Sequence, residues 1–329
     1  MIGWYVHHHG HGHLTRFLAV RPHVAGAVTV FSSLPAPAGL DADTAWVRLP
    51  ADDDPYLRDG AVRHPRAARP TAGGALHWAP LGHPGHRARL VAIADAVERM
   101  DPAGFVVDVS VEVATLVRLL GVPTIVVTQP GERTDAPHRL AYRLADRVLA
   151  PWAEGLIPAP DAAGGVRHTG GISRFDARAL PAGRDPRRVA FLGRTLPDEE
   201  LRAATGLLTA AGWHVDAVGT GGAPRDDDPW SRLAAASVVV SAAGQNSVAD
   251  LAAAGARAVV LPQARPFDEQ HATAAVLEQR RLAVVAPPDS WRRLPALVAD
   301  AAASDPDWSV WRVSGAAARA GAAIAEVAG

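Results

Sequence analysis

The stretch VVVSAAGQNSVADLAAAGARAVVLPQARPFDEQHATAAVL, residues 238–277, decides the fold. It reads as an apolar run, a glycine-containing loop, a helical stretch closed by Gly255, a second apolar run, a proline-containing loop and a second helix. Near-continuous runs such as SVVVS fit parallel strands covered on both faces. The same signature lies further out, in FVVDV at 105–109 and TIVVT at 124–128. Strands are expected at 2–6, 27–31, 46–49, 105–109, 124–128 and 147–150, and a second set at 188–192, 214–218, 238–241, 258–261 and 283–285. Helical stretches fall between them, so the chain is α/β with right-handed crossovers and doubly wound sheets. The alternation fails at 152–187, which is dense in glycine and proline and reads as a connector with a short strand inside it. The expected organisation is an N-terminal domain over 1–155, a linker over 156–187, a second domain over 188–306 and a closing helix over 307–329 that packs back toward the first domain. Residues 50–74, rich in Asp, Arg, Pro and Ala, read as a mobile surface insertion.

Composition narrows the chemistry. The 329 residues carry a net charge of −1, 48% are apolar and 20% are charged, so a large core is available. A near-neutral chain does not coat nucleic acid. Cysteine is absent, which excludes disulfides, thiolate metal sites and thiol nucleophiles. Lysine is absent too, so every basic residue is arginine. That excludes Schiff-base chemistry and a lysine-bearing phosphate loop. A bound phosphate must be held by arginine, backbone amides and helix N-termini. No run is long and apolar enough for a spanning helix. The chain opens on a strand rather than a basic leader, and its expected address is the cytoplasm, including the inner membrane face should the acceptor be lipid-linked.

Ligands of open α/β sheets bind beyond the carboxyl ends of the strands, which directs attention to those loops. The first strand runs into HHHGHGHLTR, residues 7–16, and then into a helix. Gly10 and Gly12 permit a tight turn with close backbone approach, and His11 lies between them. His13 sits at the last loop position, where a neutral imidazole acts as a general base near pH 7. His7 and His8 read as packed strand-end residues, with His9 and His11 lining the loop. A metal site there would require carboxylates or histidines from elsewhere in the fold. Asp108 ends another strand of the same half. It either orients the His13 imidazole or serves as a cap or first-turn acid of the next helix, and Glu112 reads as a first-turn acid of that helix. In the second half, Gly244, Gln245, Asn246 and Ser247 open a helix and offer an anion site. Asp250 follows one turn in, as a ribose-binding carboxylate does. Asp268, Glu269 and Gln270 suit either sugar hydroxyls or capping of the following helix.

These residues resemble the GT-B glycosyltransferases, and most of all the family 28 type that includes the bacterial peptidoglycan N-acetylglucosaminyltransferases and natural-product glycosyltransferases. The resemblance is most specific over 241–270. It implies two facing Rossmann-like domains with a cleft between them, acceptor N-terminal and nucleotide sugar C-terminal, with inverting chemistry and no metal. It implies a general base at His13 on the Gly10-His11-Gly12-His13 loop, and a His–Asp dyad with Asp108. It places Arg174 of Gly170-Gly171-Ile172-Ser173-Arg174 on the diphosphate, Asp250 on the ribose, and Glu269 and Gln270 on the sugar. The donor domain's first loop departs from the family's double-glycine turn. It reads Gly193-Arg194-Thr195, and Arg194 either supplies phosphate-binding charge or faces solvent. The base-binding loop, usually apolar, reads GGAPRDDDPW over 221–230, and Trp230 either stacks on the base or is buried at a helix start.

The expected activity is therefore metal-independent transfer of a hexose-type sugar from a UDP- or dTDP-sugar, a co-substrate rather than a cofactor, to a small-molecule or lipid-linked hydroxyl. His83, His86, Leu76, Trp78 and Leu81 fall on the acceptor side. Two other readings stand beside it. One is a nucleotide-sugar epimerase or hydrolase on the same fold. The other is a non-catalytic nucleotide-sugar-binding subunit.

Overall fold

The computed structural model describes residues 1–218 and 228–329. Strands β1 (Ile2–Tyr5), β2 (Val28–Ser32), β3 (Thr44–Arg48), β6 (Gly104–Asp108), β7 (Thr124–Val127), β8 (Arg147–Ala150) and β9 (Val166–His168) form one parallel sheet. Its order is β3-β2-β1-β6-β7-β8-β9. A short antiparallel hairpin, β4 (Tyr56–Arg58) and β5 (Ala61–Arg63), stands apart from it. A second parallel sheet has the order β11-β10-β12-β13-β14, built from β10 (Asp185–Leu192), β11 (His214–Val218), β12 (Ala236–Ser241), β13 (Ala258–Val260) and β14 (Val284–Val285). In both sheets the order reverses beside the first strand, and such a switch point opens a crevice at the carboxyl ends.

Helices cover both faces, as the fully buried strands require. In the first half they are α1 (Gly12–Val20), α2 (Pro84–Met100), α3 (Val111–Leu119) and α4 (Ala136–Leu144). In the second they are α5 (Asp198–Ala210), α6 (Trp230–Ala235), α7 (Gln245–Ala253), α8 (Glu269–Gln279) and α9 (Leu294–Ala302). The first sheet is sandwiched between two apolar layers, one with Trp4, Phe17 and Val30 and the other with Phe31, Ile93 and Phe105. Each such side chain, fully buried, stabilises the fold by about 1.5–3 kcal/mol. Gly3 is required in β1, because a Cβ there would lie 2.3 Å from the Phe105 ring.

The connector is shorter than the sequence suggests. Its expected short strand is β9, which pairs with β8, so the first sheet runs to His168, past residue 155. The last helix, α10 (Ala316–Ala328), packs on the first half, where Ala316, Ala320 and Ile324 join the layer around Trp4. Gly321 lets it approach closely, since a Cβ would sit 2.2 Å from the His23 carbonyl oxygen. The 3-10 turn Trp308–Trp311 stays with the second half, where the Trp308 indole donates to the Ala256 carbonyl. Residues 50–74, expected as a surface insertion, hold the β4–β5 hairpin and a buried anchor. Asp52 is 6% exposed and pairs with Arg89 of α2. Among the described residues, no helix is long and apolar enough to cross a membrane.

Candidate active site

A cleft of about 730 Å³ separates the two sheets, lined from both sides. The β1–α1 loop contributes Gly10, the first turns of α1 contribute Gly12, His13 and Arg16, and the start of α7 contributes Gly244, Gln245, Asn246 and Ser247. Gly10 has φ +81, which lets the chain turn sharply into α1. The N-termini of α1 and α7 meet here: the Asn246 side-chain amide donates to the Gly12 carbonyl at 2.6 Å. Two helix N-termini aimed at one space favour an anion between them.

His13 and Asp108 come together at this junction. The His13 Nδ1 lies 3.0 Å from the Asp108 Oδ1, and both side chains are buried. With the Nδ1 proton donated to Asp108, the Nε2 lone pair is left to accept a proton. The dyad has a third member that the sequence reading missed. Arg16 Nε and Nη2 donate to the two Asp108 oxygens at 3.1 and 3.2 Å, while its Nη1 donates to the Gln245 side-chain oxygen at 2.9 Å. One guanidinium thus fixes the carboxylate and ties the halves together. Burial would push the Asp108 carboxyl up, but Arg16 and then His13 outweigh it and hold it at about 2. The signal was present in the sequence: Arg16 follows His13 by three residues on a helix and so shares its face.

The far rim of the cleft is a second bridge. The Glu132 amide donates to the Phe267 carbonyl at 2.7 Å, and a Cβ on Gly131 would lie 2.1 Å from that oxygen. The Phe267 ring packs on His77 and His138, and the Arg133 guanidinium lies 4.8 Å above it. Phe267 and Asp268 hold φ +61 and +57, a left-handed pair that non-glycine residues rarely adopt and that the packed rim sustains. Glu269 and Gln270 both line the cleft. Gln270 is buried, and its side-chain oxygen accepts from the Ala243 and Gln263 amides at 3.1 and 2.9 Å, joining the loops before α7 and α8.

Other residues singled out from the sequence fall outside the lining. Asp250 is buried against the connector, accepting from the Ser173 hydroxyl at 2.6 Å and facing Arg174 at 3.7 Å, and neither is among the residues that line this cleft. The Arg174 guanidinium lies 4.6 Å over the Phe175 ring. The Gly193, Arg194 and Thr195 turn is also outside; the Gln263 amide group binds its Arg194 carbonyl, and Thr195 is buried. Trp230 is a buried helix-start residue, its indole donating to the Ala179 carbonyl and its ring 5.1 Å from Phe175. Residues 221–227 of the expected base-binding loop lie outside the described residues. On the acceptor side, Trp78 and His86 line the cleft, whereas His83 caps α2 and Leu81 is exposed. Glu112 fixes the Trp78 segment by accepting from the His77 and Trp78 amides.

Burial raises Asp250 to about 6, and Ser173 and Arg174 offset this only in part. A carboxyl whose pKa is higher folded than unfolded stabilises the fold fully below its unfolded value, near 4, and that contribution is lost as pH rises through 6. The expected result is a fall in wild-type stability between about pH 4 and 6 that Asp250→Asn removes. Urea midpoints across that range check it, and an unchanged slope in the variant contradicts it.

Two facing parallel α/β sheets with a helix N-terminus at the cleft define the class, the GT-B glycosyltransferase fold. Residues 226–304 match the family described as Glycosyltransferase family 28 C-terminal domain. The whole chain is similar to the crystal structure of MurG from Acinetobacter baumannii, at 17% identity and TM-score 0.63, covering 99% of each chain. It is similar to the spinosyn rhamnosyltransferase SpnG complexed with thymidine diphosphate, at 17% identity and TM-score 0.60, covering 100% of this chain and 96% of that one. It is also similar to a UDP-glucosyltransferase from Polygonum tinctorium capable of glucosylating indoxyl, at 14% identity and TM-score 0.67, covering 99% and 98%. No curated protein matches the chain in sequence. The chain has the GT-B glycosyltransferase fold, and residues 226–304 of its C-terminal half match the family 28 C-terminal domain.

Proposed function

We propose that the chain transfers a hexose-type sugar from a uridine or thymidine diphosphate sugar to an acceptor hydroxyl, with inversion, His13 serving as general base. The observation that carries this reading is the His13–Asp108 pair at 3.0 Å, set beside the N-terminus of α7 in the shared cleft. His13 Nε2 takes the hydroxyl proton as the acceptor oxygen bonds to the anomeric carbon. The bond from that carbon to the diphosphate oxygen breaks, and the electron pair leaves with the nucleoside diphosphate. A single displacement of this kind inverts the anomeric centre. Asp108 holds the imidazole tautomer and balances the imidazolium. The α7 amides at Gly244–Ser247 face the developing negative charge, with no metal required there. Glu269 lines the same wall and suits the sugar hydroxyls. The nucleotide choice draws on two of the similar structures, a thymidine diphosphate complex and a UDP-glucosyltransferase.

A thermal-shift screen of nucleoside diphosphates and their sugars tests the donor half. A donor at about 100 times its Kd stabilises the fold by roughly 2.7 kcal/mol, so UDP or dTDP sugars are expected to raise Tm and unrelated nucleotides are not. Product analysis with donor alone tests the transfer half. Rapid release of free sugar identifies a hydrolase and an isomerised donor an epimerase, and either outcome overturns transfer as the activity.

A further inference from the structure

The β1–α1 loop holds more imidazole than the dyad uses, and the fold supplies it with carboxylates. His9 Nε2 lies 2.9 Å from Asp53 Oδ2, and His8 Nε2 lies 3.7 Å from Asp53 Oδ1 and 3.6 Å from Asp52 Oδ1. The His8 and His9 rings are 4.3 Å apart, and one ligand atom from each of His8, His9 and Asp53 falls within 4.8 Å of the others. A second observation points to a missing partner. Both ring nitrogens of His8 are buried, and neither makes a hydrogen bond among the described residues. Buried polar atoms are ordinarily paired, so a nitrogen left in this state calls for something to bind.

We propose that His8, His9 and Asp53 form a binding site for a divalent transition-metal cation of the zinc class, at the edge of the acceptor side of the cleft. Two imidazoles and one carboxylate, drawn from separate segments, are the ligand types such ions take, at bond lengths near 2.0–2.2 Å. Ligand atoms within 4.8 Å of one another close on a shared ion by side-chain rotation. The charge also fits: Asp52 and Asp53 bring two carboxylates, and Arg89 answers only Asp52. The ion would clip the Asp52–Asp53 segment to the first loop and so order the acceptor-side wall. It takes no residue of α7 or of the His13–Asp108 pair, so the site is independent of the transfer reading.

The other histidine cluster, His77, Asp135 and His138, does not invite the same reading. His138 Nδ1 is 2.6 Å from Asp135 and its Nε2 is 3.0 Å from Arg133, so both nitrogens are already engaged.

The test is calorimetric titration of zinc chloride into the full chain, made without a histidine tag and stripped with EDTA. Wild type is expected to take up zinc stoichiometrically, with an accompanying rise in Tm. His9→Ala and Asp53→Asn, both at exposed positions, are each expected to weaken binding about tenfold or more and to abolish the rise. Circular dichroism melts without metal confirm that the variants fold. His13→Ala is expected to bind zinc as wild type does. The proposal is overturned if wild type binds no zinc, or if the His9 and Asp53 variants bind it unchanged.

Discussion

His13→Ala is expected to lower kcat by about 10²–10⁴-fold while leaving the Kd for the nucleoside diphosphate as it is in wild type. The magnitude is that of removing general-base help, and each factor of ten is about 1.36 kcal/mol of barrier. The split between kcat and donor affinity follows from position. His13 stands on the N-terminal wall, while the α7 amides that would hold the diphosphate belong to the opposite wall. Substitution of a residue 8% exposed also leaves a small void, so folding must be checked by melting. A variant that transfers sugar at the wild-type rate removes His13 from the mechanism. One that loses donor binding in proportion to rate makes it a binding residue instead.

Arg16→Ala carries the largest expected effect on stability. The Arg16 side chain is 4% exposed and Asp108 is 1% exposed, and the guanidinium grips both carboxylate oxygens. Removing one partner of a buried pair leaves the other charge without compensation, at a cost of about 3–5 kcal/mol. Lysine does not rescue it, because an ammonium cannot reproduce the two-pronged contact with Asp108 while also reaching Gln245. The sign of the pH effect follows. Asp108 is held at about 2, so its contribution is present above its unfolded pKa and is lost as pH falls through 2. Without Arg16, burial prevails and the carboxyl moves up, so the acid limb of the rate profile shifts to higher pH. Urea denaturation measures the first effect and the pH dependence of kcat the second. A loss of stability under about 1 kcal/mol, the range of an exposed pair, contradicts the assignment.

Much of this was legible locally. Runs such as FVVDV and SVVVS are predominantly apolar, and a strand between two helical layers satisfies them, so the strands of both sheets and the element ends that carry His13, Asp108 and Gly244–Ser247 follow from pattern. The surroundings of Asp250, Arg174 and Trp230 are not local properties, because which wall a side chain faces depends on what packs against it. The connector segment around Ser173 covers Asp250, and Phe175 takes both the Arg174 guanidinium and the Trp230 ring.

By itself the sequence determined that parallel strands alternate with helices, that no thiol or lysine chemistry is available, and that histidine and carboxylate end strands of one half. Periodicity and composition are local properties, and they fix those outcomes. Only the tertiary structure decided that Arg16 completes the His13–Asp108 pair and reaches Gln245, that Phe267 seats against His77 and His138, and that Asp53 comes to His8 and His9. Those partners lie 229 residues from Arg16 in one case and 44 from His9 in another. Contacts over such separations form when sheets pack and loops close, and no local pattern encodes them.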